Sequence, residues 1–105
     1  MLEKQIQQAI IEYLGYRHDL YFFRSGSGAV KTADGRYFKT GKKGCPDVTV
    51  CYKGYFIGLE IKSEKGKQKP EQKEAEEQIT KSGGYYFIVR SVDDVINFLK
   101  QINDR

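Results

Sequence analysis

At 105 residues the chain has the size of one domain with one core, and 39% hydrophobic with 13% aromatic residues suffices to fill it, which argues against disorder. No run approaches the ~20 apolar residues needed to cross a bilayer, and no cleavable leader pattern is evident at the N-terminus. Net charge is +4 from 18 basic and 14 acidic residues, a balance that suits a polyanionic partner. Cys45 and Cys51 fit no zinc spacing and read as reduced thiols of a cytoplasmic protein, in a bacterium or, for a viral chain, its host.

The first helix is expected over Leu2 to Leu14, with Leu2, Ile6, Ala9, Ile10, Tyr13 and Leu14 on one face at helical period. Glu3 falls inside that apolar arc. Either it is a functional carboxylate on the buried face, or it occupies a frayed first turn where the helix dipole favours an acid. Leu20-Tyr21-Phe22-Phe23 reads as a strand, and a glycine-rich stretch follows. Ala29 to Lys39 carries Asp34-Gly35 at its middle, a hairpin signal. Two apolar runs, Val48 to Tyr52 and Tyr55 to Lys62, are separated only by Lys53-Gly54 and form a second hairpin. Pro70-Glu71 opens a helix that ends at Gly83-Gly84, Tyr85 to Val89 is a strand, and Ser91-Val92-Asp93-Asp94 caps a last helix whose inner face holds Val95, Ile96, Leu99 and Ile102. The helix between Lys62 and Tyr85 suits a crossover between parallel strands, so an α/β fold with a mixed sheet flanked by helices is expected.

Chemistry concentrates in the central hairpin. Asp47 precedes its first strand, and Glu60 and Lys62 close its second. With period two, Glu60 and Lys62 project from the same face while Leu59 and Ile61 point to the other. A salt bridge on a solvent-facing sheet would use the same residues. Two carboxylates beside an ammonium on an otherwise apolar sheet also suit a hard cation, which takes oxygen ligands and keeps water and phosphate oxygens for the rest.

Basic residues flank these carboxylates on both sides. Between Tyr21 and Lys43 stand Arg24, Lys31, Arg36, Lys39, Lys42 and Lys43 against Asp34 alone, and Lys62 is followed by Lys65, Lys67, Lys69 and Lys73. That distribution suits phosphate-backbone binding, although lysines on loops also serve solubility. Tyr37 and Phe38, among these cations, suit base stacking or hairpin packing alike. His18 is the only histidine and reads as a surface residue, so histidine-dependent nuclease chemistries are excluded.

Pro46-Asp47 ahead of a strand, with Glu60-Ile61-Lys62 closing the next, resembles the PD-(D/E)XK nuclease superfamily, whose αβββαβ restriction-endonuclease-like core matches the expected order. The closer resemblance is to the VRR-NUC nucleases, through Glu3 on the first helix, Gly44-Cys45-Pro46-Asp47, Glu60-Ile61-Lys62 and Gln72 on the helix after the lysine. It spans nearly all of residues 1–105. The family's Val-Arg-Arg is kept only in part, as Val89-Arg90-Ser91. The resemblance implies Asp47, Glu60, Lys62, Glu3 and Gln72 as catalytic residues. Asp47, Glu60, the Ile61 carbonyl and Glu3 would be ligands of Mg²⁺ or Mn²⁺. Gln72 would orient Lys62 or a water, although a polar surface glutamine reads the same in sequence. Arg24, Lys39, Lys42, Lys43, Lys65, Lys67 and Arg90 are the candidate DNA contacts.

Branched DNA, a second copy of the chain and a helicase are the partners this resemblance suggests. The expected activity is a metal-dependent, structure-selective DNA endonuclease of the Holliday-junction type, working as a homodimer. The dimer contact is expected around Asp34-Gly35, Tyr37 and Phe38. A nicking, flap or restriction-type nuclease is the alternative enzyme, and a non-catalytic nucleic-acid-binding module the alternative outside catalysis.

Overall fold

A computed structural model describes residues 1–26 and 28–103. Its elements run α1 (Glu3–Tyr16), β1 (Leu20–Arg24), β2 (Gly28–Lys31), β3 (Tyr37–Thr40), β4 (Val48–Tyr52), β5 (Tyr55–Ile61), α2 (Pro70–Lys81), β6 (Tyr85–Val89) and α3 (Val92–Asn103). The expected order holds, and each boundary lies within a few residues of its local signal. β2 and β3 pair as a separate two-stranded sheet, turned by Gly35 at φ 88°. Lys53 and Gly54 both take positive φ (53° and 84°), the conformation of the tight turn that matches strand twist.

The main sheet has the order β1-β4-β5-β6. β1 pairs antiparallel with β4, β4 antiparallel with β5, and β5 parallel with β6. It is therefore mixed, with α2 as the crossover between its parallel strands. Register divides it into two unlike faces. Val48, Val50, Tyr52, Ile57, Leu59, Ile61 and Val89 share one face and form the core with Ile6, Ile10 and Leu14 of α1 and Val95, Leu99 and Ile102 of α3. Phe87 stacks on Phe98 there, their ring centroids 4.1 Å apart. The other face carries Thr49, Cys51, Phe56, Gly58, Glu60 and Tyr86, and α2 covers only part of it.

Leu2 departs from its expected place on the inner face of α1 and is exposed ahead of the helix. Its amide is capped by Gln5 Oε1 at 3.0 Å, so this end is closed by a polar side chain and not by apolar packing. Ser91 Oγ accepts from the Asp94 amide (3.1 Å) as the capping motif requires, while Asp94 Oδ2 reaches past Ser91 to the Arg90 amide (2.8 Å). Cys45 and Cys51 are both free thiols.

Candidate active site

Asp47 is held from three directions before its side chain is considered. Gly44, at φ 79°, lies so close to α2 that a Cβ there would meet Glu71 O at 2.3 Å. Pro46 packs on Gly58 of β5, where a Cβ would meet Pro46 Cγ at 2.5 Å. The amides of Ser25 and Gly26 both donate to Asp47 O, at 2.9 and 3.2 Å. Ser25 Oγ donates to Pro46 O (2.8 Å) and accepts from Thr49 Oγ1 (2.7 Å), and Cys45 Sγ donates to Ser25 O (2.8 Å). The end of β1 thus clamps the entry to β4. From this support the Asp47 carboxylate turns to β5, where Oδ2 accepts the Ile61 amide at 2.7 Å.

Glu60 and Lys62 lie on the face expected from strand period, but neither faces solvent. They are 2% and 6% exposed, with Lys62 Nζ 3.7 Å from Glu60 Oε1, so the solvent-facing salt bridge is overturned. Glu60 Oε1 also accepts from Gln72 Nε2 at 2.7 Å, and Oε2 lies 3.4 Å from the Tyr86 hydroxyl. Gln72 Oε1 accepts the Lys69 amide (2.8 Å), so one side chain closes the N-terminus of α2 and grips Glu60. Gln72 therefore orients Glu60, where the sequence suggested Lys62, a water or a bare surface.

Burial pushes the Glu60 carboxyl up to about 8, and the neighbouring Asp47 carboxylate adds to the rise by charge and by a hydrogen bond. Lys62 and the Tyr86 hydroxyl pull the other way. Burial likewise pushes the Tyr86 hydroxyl upward. The two carboxyl groups thus stand close enough that Glu60 gives up its proton reluctantly, even beside Lys62.

Glu3 does not complete this cluster. It is exposed in the first turn of α1, lining a groove of about 520 Å³ with Gln7, Glu12 and Arg24. Among the described residues no three His, Cys, Asp or Glu side chains gather where a metal ion could sit. The first-turn reading accounts for Glu3: the helix dipole rewards an acid there without burying it.

The candidate DNA contacts separate into groups. Lys65 and Lys67 are exposed on the loop after Lys62. Lys42 and Lys43 are exposed but line a hollow with Glu71 and Glu74 of α2. Arg24 is exposed at the end of β1 and, with the Gln7 amide turned to present its oxygen, donates to it at 3.1 and 3.2 Å. Arg90 is engaged elsewhere: its Nη1 donates to the backbone oxygens of Ser63, Glu64 and Gly66. The side chains of Lys39 and Phe38 lie outside the described residues, and Tyr37 is exposed with Lys31 Nζ 5.9 Å from its ring centre.

Sequence reasoning passed over two contributors. Ser25 is recognisable only once β1 is paired with β4. Tyr86 carried a signal, because alternation along a parallel neighbour of β5 places Tyr86 and Ile88 on the face of Glu60.

The fold has a solved counterpart. A structure described as a VRR_NUC domain protein superimposes with a TM-score of 0.62 at 19% sequence identity, covering 96% of this chain and 87% of that one. The chain has the VRR-NUC fold. The PD-(D/E)XK-like architecture expected from the sequence is thereby borne out at the level of fold. No protein-family model matches the sequence, and no curated protein matches it significantly. Among the described residues no helix is long and apolar enough to cross a membrane.

Proposed function

We propose that this protein is a metal-dependent DNA endonuclease, with Asp47, Glu60 and Lys62 as its reactive constellation. One observation carries the reading. A glutamate buried to 2% exposure faces a second carboxylate and lies 3.7 Å from a buried lysine, on the one face of the sheet that does not build the core. Structural economy does not favour burying such a group, since removing charges from water costs several kcal/mol each.

The donor set fits a hard cation. Asp47 and Glu60 offer carboxylate oxygens, Glu60 once a cation displaces its proton, and Mg²⁺ typically takes one or two carboxylates while keeping water and phosphate oxygens. When bound, Mg²⁺ or Mn²⁺ would supply Lewis-acid polarisation of the phosphodiester and acidify a water. The remaining work belongs to the chain. Lys62 offsets negative charge building on the phosphate oxygens, Gln72 holds Glu60 in one orientation, and the Ile61 amide does the same for Asp47. Lys65 and Lys67, on the loop leaving Lys62, draw the phosphate backbone to that end of the sheet.

Each chain carries one such site, and opposed cuts in a four-way junction require two, so the finer reading is a symmetric homodimer that resolves branched DNA. Cleavage of junction, flap and linear duplex with Mg²⁺ or Mn²⁺, with Lys62→Ala as control, tests both levels. Absence of metal-dependent cleavage of every substrate removes the nuclease reading. Equal rates on all three leave a nuclease and remove the junction preference.

A further inference from the structure

The segment leaving Lys62 turns back and lies on that lysine. Gly66 N donates to Ser63 O at 3.0 Å, closing a tight turn. A Cβ at Gly66 would stand 3.3 Å from Lys62 Cβ and 3.4 Å from its Cδ, so the Gly66 backbone packs on the aliphatic stem. Arg90, the first residue after β6, holds this turn through one guanidinium nitrogen: Nη1 donates to the carbonyls of Ser63, Glu64 (3.3 Å) and Gly66 (2.9 Å). Both ends of the clamp are fixed, because the Lys62 amide donates to Val89 O (3.0 Å) and the Arg90 amide to Asp94 Oδ2 (2.8 Å). A lysine side chain has four flexible carbons and a charge that favours water, so a lysine kept at 6% exposure needs a cover that does not open.

We propose that Arg90 is a positioning residue for Lys62. Its guanidinium fixes the Ser63–Gly66 turn, the turn covers the lysine stem, and the stem holds Nζ beside Glu60. Arg90 thus acts on the site through protein backbone and not as a phosphate contact, the role its charge and place in the sequence suggested. That the placement of Lys62 governs cleavage rests on the nuclease reading; the clamp itself does not.

Acetylation of the full chain by acetic anhydride, followed by mass spectrometry, reads the clamp without any DNA. In the wild type Lys62 should label more slowly than Lys65 and Lys67. In Arg90→Ala its rate should rise at least about tenfold while Lys100 stays unchanged, because the turn opens locally, and added methylguanidinium should reverse the rise. Gly66→Ala, which presses directly on the stem with Arg90 intact, should raise the Lys62 rate as well, and it decides the matter if circular dichroism shows Arg90→Ala unfolded. In cleavage, Arg90→Ala should lower kcat about tenfold with KM for DNA within about twofold, as expected for a misplaced reactive group. A DNA-contacting arginine would instead raise KM and reduce the salt slope by about one. Lys62 labelling at the wild-type rate in the folded variants overturns the proposal. A wild type that cleaves nothing overturns the nuclease reading, and the labelling result still decides the clamp.

Discussion

Glu60 meets Gln72 and Lys62 with one oxygen and Tyr86 with the other, so changing its charge and changing its shape are separable experiments. Glu60→Gln and Asp47→Asn keep the volume and remove the carboxylate a bound cation would use. Each should reduce Mg²⁺- or Mn²⁺-dependent cleavage by at least about a hundredfold while leaving DNA affinity near wild type; cleavage by either variant at the wild-type rate would place the chemistry elsewhere. A second consequence concerns pH. The Glu60 carboxyl titrates near 8 in the folded protein, against an ordinary value of 4.5. Between those values the folded chain keeps a proton that the unfolded chain has lost. The stability it contributes is complete below about pH 4.5 and is lost as pH rises toward 8. Melting of the metal-free protein should therefore fall across that window, and Glu60→Gln should flatten the fall; parallel curves for the two proteins would show that Glu60 does not carry the linkage.

Three elements meet at Gly44 and Gly58: the approach to β4, strand β5 and helix α2. An alanine at Gly44 would combine a positive φ with a methyl 2.3 Å from Glu71 O. Gly44→Ala should thus cost on the order of 2 kcal/mol or more and also pull Gln72 away from Glu60, whereas Gly54→Ala, whose Cβ would meet nothing, should cost only about 1 kcal/mol of turn strain. Chemical denaturation of the two variants checks the difference. These glycines mark where reading the sequence stopped. Lys53-Gly54, Asp34-Gly35 and Pro70 act locally, each dictating a turn or a helix start through its own backbone, so strands, helices and the shared face of Glu60 and Lys62 were legible. The close approach of Gly44 to α2, the clamp of Ser25 on Pro46 and the diversion of Arg90 into a backbone turn depend on residues twenty or more positions apart. No local pattern announces such contacts. Glu3 left two readings open for a related reason: a helical wheel reports angle, and a first turn need not be covered even on the inner side.

Over the whole molecule, the exposed lysines fall into unlike settings. Lys65 and Lys67 project near the candidate site, whereas Lys42 and Lys43 share their hollow with Glu71 and Glu74. Replacing Lys65 and Lys67 together by Ala should flatten the slope of log K against log salt by about two, and replacing Lys42 and Lys43 by less; the reverse ranking would move the DNA to the other side of α2. Tyr21 (68% exposed), Phe23 (49%) and Phe56 (47%) stand on the sheet face that α2 covers only in part, and Tyr37 is exposed on the β2–β3 hairpin. Sedimentation equilibrium at micromolar concentration should give a dimer under the proposed reading, and a strict monomer that cuts linear duplex as fast as junctions would leave a simple nuclease. The helices are also unequal. α1 and α3 each bury three apolar side chains, while α2 buries none completely. In amide exchange α2 should behave as the first unit to open, well before the sheet, because local opening follows buried apolar contact. When it opens it carries Gln72 off Glu60. Warming should therefore silence the site while the sheet and the other two helices still stand, and the temperature at which activity fades should lie below the temperature at which the chain melts.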